Sequence, residues 1–157
     1  MELNEILLNY VNSCKADNYY FNSFYLLFNL GIRHNELYLQ NWKLINNLYL
    51  LSCSKNSVTR AFAPSTLPAF FKYAIEYQQY NYIYAYSTLY RYFEKKSIYQ
   101  FITSEKHNLA MHIFRHNYIK KIFDKYTELD TILALTGEKS LSTINYCVNS
   151  EIQIKQK

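Results

Sequence analysis

The order of apolar and polar positions near the start of the chain predicts three short helical segments. Segment 2–13 places its apolar residues on one helix face: Leu3, Ile6, Leu7, Tyr10 and Val11. Segment 18–30 is mostly apolar, as expected of a buried helix, and Gly31 follows it as a stop or bend. A further helical turn is expected over residues 34–40.

The pattern then changes from a helical to an alternating period, which predicts a β-hairpin. The apolar run 48–51 is typical of a strand, and residues 58–62 alternate as a half-buried strand does. The polar residues 54–57 form the expected turn, with Lys55 at or beside its tip. Pro64 ends the second strand because it has no backbone N–H to donate.

The rest of the chain returns to a helical pattern. Ser65 and Thr66 are expected to cap the helix after the hairpin. Helices are predicted over residues 66–79, 86–95, 104–125, 128–136 and 140–148. Because only 2 Gly and 2 Pro interrupt the chain, long helices are favoured. The expected fold class is mainly α with a small antiparallel β-hairpin, in a single domain over 1–157.

Composition and charge narrow the class of protein. The chain is 50% apolar and 18% aromatic, which is typical of a folded domain. Its net charge of +5 is compatible with a polyanionic partner. The 3 cysteines lack disulfide or metal-ligand spacing, so reduced thiols and a cytoplasmic location are expected. The longest apolar stretch, Phe24–Ile32, is too short to span a bilayer.

Several residues are candidates for phosphodiester chemistry. His112 and Arg115 are spaced i and i+3, so they share a helix face. Arg33 follows a buried segment, and Tyr146 lies on the last predicted helix. Two arginines can hold the non-bridging oxygens of a phosphate and match the transition-state charge, so no metal ion is required. A phenol can act as the nucleophile and form a covalent intermediate.

Four segments resemble, in order, the motifs of the tyrosine recombinase (phage integrase) catalytic domain. Residues 31–37, Gly-Ile-Arg-His-Asn-Glu-Leu, resemble the first arginine motif, and residues 55–60, Lys-Asn-Ser-Val-Thr-Arg, resemble the β-hairpin lysine segment. Residues 112–116, His-Ile-Phe-Arg-His, match the His-x-x-Arg-His motif, and residues 142–146, Ser-Thr-Ile-Asn-Tyr, resemble the approach to the nucleophilic tyrosine. Four motifs in the family's order are far more specific than one.

The resemblance implies a role for each matched residue. Arg33 and Arg115 would clamp the scissile phosphate, and Tyr146 would attack it to form a 3′-phosphotyrosine. Lys55 would be the general acid for the leaving 5′-hydroxyl, and His112 would help the tyrosine lose its proton. The implied enzyme cleaves and rejoins duplex DNA without a cofactor, neither metal nor ATP.

Further residues are implied to support the site or to contact DNA. By resemblance, two residues would orient the arginines and pack the site: Glu36 and His116. Four basic residues are weaker candidates for contacts with DNA phosphates: Arg60, Arg91, Lys95 and Lys139. A solvated basic face is the alternative interpretation of the helix that carries Arg91 and Lys95.

One family element, the histidine of the third motif, is missing. Matching the Gly-x-Lys-Ser pattern places Glu138 in its position, whereas counting back from Tyr146 places Gly137 there. Losing one hydrogen-bond donor to the phosphate would cost on the order of 10²–10³ in rate. Lys139 is close enough in sequence to be a substitute, and Glu138 by itself is expected to be a solvated helix-cap carboxylate.

The resemblance also implies partners and location. Double-stranded DNA is the expected partner, with a homotetramer assembled on it, association with the nucleoid and no membrane contact. The family's N-terminal DNA-clamping domain is expected to be absent from residues 1–157, which would make the chain a catalytic fragment or a minimal enzyme.

Two other classes of function remain open. A non-catalytic DNA-binding protein on the same scaffold is favoured by the missing histidine and disfavoured by the retained arginines, lysine, histidine and tyrosine. A helical protein-interaction domain would show no salt-dependent affinity for DNA.

Overall fold

The computed structural model describes residues 3–14, 19–52, 58–77, 102–103, 113–142, 144 and 153–154. Within these residues the protein is mostly helical, with one three-stranded antiparallel sheet and a short two-stranded one. The mainly α class with a small antiparallel sheet is therefore confirmed. Across the same ranges, no helix combines the length and apolar character needed to cross a membrane.

Helices precede and follow the three-stranded sheet in the chain. The helices are α1 (Leu3–Asn12), α2 (Tyr19–Leu30), α3 (Ala69–Tyr77), α4 (Ile113–Lys125) and α5 (Leu129–Thr136). The strands are β1 (Trp42–Ile45), β2 (Leu48–Ser52), β3 (Thr59–Phe62), β4 (Ile102–Thr103) and β5 (Gln153–Ile154). Single turns of 3-10 helix cover His34–Leu37, Leu39–Asn41 and Pro64–Thr66.

The sequence predicted α1, α2 and the pairing of β2 with β3, but it missed β1. This strand pairs antiparallel with β2, and Trp42 lies opposite Leu51. Asn46 and Asn47 connect the two strands with φ values of 50° and 64°. Asparagine tolerates such positive values, which two-residue hairpin turns require. Only Trp42 is buried in β1, so no apolar alternation marks this strand in the sequence.

Helix α3 begins at Ala69 rather than at residue 66, so the predicted start of this helix was wrong. Pro64–Thr66 form a separate 3-10 turn, in which Thr66 Oγ1 donates to the Ala63 carbonyl at 2.7 Å. The hydroxyl is therefore used to close the preceding turn and does not cap α3.

Other predicted elements are described only in part. The helix expected over 86–95 lies outside the described residues, as does part of each helix expected over 104–125 and 140–148. The described remainder of 104–125 is α4, and α5 falls within the predicted 128–136. The antiparallel pairing of β4 with β5 had no counterpart in the sequence prediction.

The main core packs α1, α2 and the start of α4 together with the three-stranded sheet and α3. Trp42 is central to it, because its ring contacts Phe62 and Phe71 at centroid distances of 5.6 and 5.0 Å. The indole Nε1 donates to the Glu36 carbonyl at 2.7 Å, so its polar atom is satisfied in the interior. This bond fixes the 3-10 turn after α2 against the sheet.

A second, smaller cluster forms where α4 meets α5. Its buried members are Tyr118, Ile119, Ile132 and Ile144. Ile144 is 0% exposed and follows α5 in the chain, so the segment after α5 is packed against α4 at this point.

Gly31 joins α2 to the turn that follows it, and two constraints require glycine there. Its φ of +63° is a left-handed conformation that side chains with a Cβ disfavour. A Cβ at this position would also overlap the ring of Tyr118. The close approach of this backbone to α4 therefore depends on the absence of a side chain.

We expect Gly31→Ala to lower the free energy of unfolding by about 2–4 kcal/mol, because backbone strain and overpacking act together. Urea denaturation measures the change. The same substitution in a Tyr118→Leu background is the control, where the cost should fall to about 1 kcal/mol, the contribution of the backbone alone. An equal cost in both backgrounds would show that the contact with Tyr118 does not matter.

Candidate functional site

Arg33 lies three residues after the end of α2 and immediately before the 3-10 turn His34–Leu37. Its side chain is buried, and Glu36 of the same turn is 0% exposed. Glu36 Oε1 accepts from the backbone N–H of Arg33 at 2.9 Å, and Oε2 accepts from Nη1 of the same arginine at 3.2 Å. The carboxylate therefore fixes the direction of the Arg33 side chain.

Arg115 lies in the first turn of α4, which Phe114 anchors in the main core by ring contact with Phe24. The guanidinium is buried and donates to two backbone carbonyls. Nη1 donates to Gly31 O at 2.5 Å, and Nη2 donates to Thr136 O at 2.8 Å. Arg115 thus connects the end of α2 to the end of α5.

Glu138 lies between the two arginines. Its Oε1 accepts from Arg33 Nη2 at 2.6 Å and from Arg115 Nη2 at 2.8 Å. The residue is only 5% exposed. The expectation of a solvated helix-cap carboxylate was therefore wrong, because Glu138 follows the end of α5 into the interior and pairs there with buried cations.

The four residues form a buried ionic cluster, which we call the arginine cluster: Arg33, Glu36, Arg115 and Glu138. Burial is the largest cause that lowers the pKa of Arg115, and the positive charge of Arg33 lowers it further. The hydrogen bond and charge of Glu138, together with the charge of Glu36, raise the same pKa. Two cations and two carboxylates leave the cluster with no net charge, which makes the burial of four ionised groups tolerable.

Arg60 supports the same region from β3. Its Nη2 donates to Leu30 O at 2.8 Å and to Leu135 O at 2.6 Å, so it also joins the last turns of α2 and α5. The Tyr118 hydroxyl donates to the Leu135 carbonyl as well, at 3.0 Å. Carbonyl groups at a helix C-terminus lack intrahelical partners and carry partial negative charge, so cations stabilise them.

Arg60 was expected to contact DNA; in the structure its guanidinium binds helix-end carbonyls, and a contact with DNA stays a prediction. Arg60 is 5% exposed and its guanidinium also lies 4.9 Å from the ring centroid of Phe62. The signal was available in the sequence, because the alternation of β3 puts Arg60 on the same face as Phe62. Lys139, in contrast, is exposed.

Gly137 is the residue that turns the chain between α5 and Glu138. Its φ of 72° and ψ of 23° are left-handed, and its backbone N–H donates to Leu133 O at 2.9 Å. This is the usual end of a helix at glycine. Glu138 therefore lies beyond α5, in a turn rather than in a helix.

The structure brings together four of the predicted site residues, and others are not in the described part. Lys55, His112, Tyr146, Arg91 and Lys95 lie outside the described residues.

His116 follows Arg115 on α4 and is half-buried. Over the described ranges, no group of three or more His, Cys, Asp or Glu residues could hold a metal ion. Arg33 and Arg115, which we call the arginine pair, direct N–H groups at one oxygen atom of Glu138. These N–H groups could hold an oxyanion at that point.

Comparison with known proteins gives no match: no family model, no curated protein and no solved structure matches this chain.

We expect Arg60→Met to lower the free energy of unfolding by about 2–4 kcal/mol, because two helix-end carbonyls lose a buried charged donor. Lys120→Met, which removes an exposed cation from α4, should change it by less than about 0.5 kcal/mol. Both are measured by urea denaturation. A stable Arg60→Met protein whose DNA affinity has a salt dependence reduced by about 0.9 would instead identify Arg60 as a phosphate contact.

Proposed function

We propose that this chain is the catalytic domain of a tyrosine site-specific recombinase, which cleaves and rejoins duplex DNA through Tyr146. The observation that carries the proposal is the meeting of Arg33 and Arg115 at one carboxylate oxygen. Like charges repel strongly in a buried site, so a fold that brings two guanidinium groups together provides a place for an anion. The resemblance of the sequence motifs assigns both arginines to the scissile phosphate.

The proposed chemistry proceeds in two transesterification steps. The phenol oxygen of Tyr146 attacks the phosphorus, the bond to the 5′-oxygen breaks, and Lys55 supplies the proton to that oxygen. His112 helps to remove the phenol proton, and the two arginines stabilise the charge on the non-bridging oxygens. A 5′-hydroxyl of a second strand then attacks the phosphorus of the 3′-phosphotyrosine and gives its proton to Lys55. The bond to the tyrosine oxygen breaks, the phenol regains its proton from His112, and the phosphodiester bond is restored, so no cofactor is consumed.

One packing contact near the proposed nucleophile in the sequence supports this assignment. Ile144 packs in the same cluster as Tyr118 and Ile119 of α4, the helix that carries Arg115. Ile144, which precedes Tyr146 by two residues in the sequence, is therefore in one apolar cluster with the helix that holds half of the arginine pair.

The proposed partner is double-stranded DNA, with which a net charge of +5 is compatible. A homotetramer assembled on DNA and association with the nucleoid belong to the same proposal. Lys139 is the described basic residue that is exposed near the arginine cluster and can contribute a phosphate contact.

A non-catalytic DNA-binding protein on the same scaffold is the second candidate, and one observation favours it. Glu138, one of the two residues that align with the third-motif histidine, supplies an acceptor that neutralises the arginine pair. A site with this charge balance holds a phosphodiester less strongly than a pair of free arginines would.

A covalent-capture selection distinguishes the two candidates even though the target sequence is not known. A library of random-sequence DNA duplexes is prepared in which each duplex carries one nick. Cleavage a few nucleotides from the nick releases a short strand, which diffuses away, so religation fails. We expect the wild-type chain to form protein–DNA complexes that survive denaturing detergent, because a 3′-phosphotyrosine is covalent. Sequencing the captured DNA would also identify the cleavage site.

The matched control is Tyr146→Phe, which lacks only the attacking oxygen. Capture by the wild-type chain and not by this variant supports the recombinase. Salt-dependent binding to duplex DNA without capture at any selected sequence supports the non-catalytic DNA-binding protein instead. Absence of salt-dependent binding would contradict both.

A further inference from the structure

The anion that the arginine pair holds is part of the protein itself. Glu138 Oε1 accepts from Nη2 of Arg33 and from Nη2 of Arg115. Under the proposed function these two N–H groups are the donors for a non-bridging oxygen of the scissile phosphate. The carboxylate and the phosphate therefore compete for the same donors.

The two carboxylates of the arginine cluster differ in how firmly the fold holds them. Glu36 lies within a 3-10 turn, is 0% exposed, and accepts a bond from the backbone of Arg33. The backbone carbonyl of Glu36 also accepts from the indole of Trp42 in the core. Departure of the Glu36 carboxylate would leave the backbone N–H of Arg33 without this acceptor and would open the cap of the turn.

Glu138 is attached to the fold differently. It follows the left-handed Gly137 beyond the end of α5, and the next residue, Lys139, is exposed. Its carboxylate is held by side-chain bonds from the two arginines. Rotation of the Glu138 side chain toward solvent would break these bonds without moving a helix or a strand.

We infer that Glu138 is an internal inhibitory anion, which occupies the arginine pair in the free protein and must leave before a phosphodiester can bind there. The identity of the incoming anion rests on the proposed function, whereas the occupation of the pair by Glu138 does not. The arginine pair of the free protein is thus closed by the protein's own carboxylate.

The charges of the arginine cluster support this exchange. With Glu138 in place, the cluster is neutral, and a phosphodiester would add a third anion beside the two carboxylates. Like charges placed together in a buried site repel each other strongly. With Glu138 displaced, Arg33, Arg115 and Glu36 carry a net charge of +1, which a phosphodiester monoanion neutralises.

The test compares Glu138→Gln with the wild-type chain. Glutamine keeps the size and an acceptor oxygen but removes the negative charge. The matched control is Glu128→Gln, which makes the same chemical change at an exposed residue next to the other end of α5. Both variants alter the net charge of the chain equally, so a difference between them reports on the arginine cluster.

Inorganic phosphate is the probe, exchanged against chloride at constant ionic strength. Its affinity is obtained from the concentration dependence of the thermal unfolding midpoint. We expect Glu138→Gln to bind phosphate about tenfold or more tightly than the wild-type chain, and Glu128→Gln to bind as the wild type does. Equal phosphate affinity of Glu138→Gln and Glu128→Gln would overturn the inference.

A second variant keeps the test decisive if Glu138→Gln folds poorly. Glu138→Asp retains the charge but shortens the side chain, so the carboxylate no longer reaches both guanidinium groups well. We expect an intermediate affinity for phosphate, between those of the wild type and the Gln variant. A value unchanged from the wild type would contradict the inference. Folding of Glu138→Gln that is restored by phosphate would support it.

The nicked-duplex assay separates failure of the inference from failure of the proposed function. Tighter phosphate binding by Glu138→Gln without covalent capture by any variant would support the internal anion and contradict the recombinase. Covalent capture at equal rates by wild type and Glu138→Gln, with equal phosphate affinity, would contradict the internal anion alone.

Discussion

The last turns of α2 and α5 end at the same place, and arginine side chains satisfy the carbonyl groups there. Arg60 of β3 and Arg115 of α4 each donate to one carbonyl at the end of either helix. These carbonyls lack intrahelical partners and carry partial negative charge. The mutual position of three helices and the sheet therefore depends on two cations that lie between helix ends in the interior.

Buried cations require nearby anions, and this requirement explains the rest of the site. Arg33 enters the same region through the turn at Gly31, so two guanidinium groups come close together where water has little access. Glu36 offsets the positive charge of Arg33 within the same turn, and Glu138 accepts hydrogen bonds from both arginines. Without an anion beside both guanidinium groups, the convergence of the arginines would be unfavourable.

Local sequence patterns predicted several helices and the two arginines of the site, but they did not predict which side chains come into contact. Helical periodicity and the glycine stop located α2 and Arg33, and the motif around Arg115 identified it as a candidate. The alternation of residues in β3 indicates that Arg60 is buried, whereas its positive charge alone suggested an exposed residue. The pairing of Glu138 with two distant arginines has no local signature, because it arises only when the ends of two helices are brought together. β1 was missed for a local reason, since Leu44 and Ile45 are adjacent, apolar and both exposed, so the strand lacks an alternating pattern.

Each arginine of the pair keeps an anchor that does not involve Glu138. Arg115 is held by two backbone carbonyls, and Arg33 is held by Glu36. The direction of both guanidinium groups is therefore set by the backbone and by a carboxylate within a rigid turn. Donors that stay in place while their anion is exchanged need no reorganisation when a new anion arrives, which is the condition for strong electrostatic stabilisation of a transition state. The same contacts that allow the fold to bury these charges thus keep them aimed at one point, whichever anion occupies it.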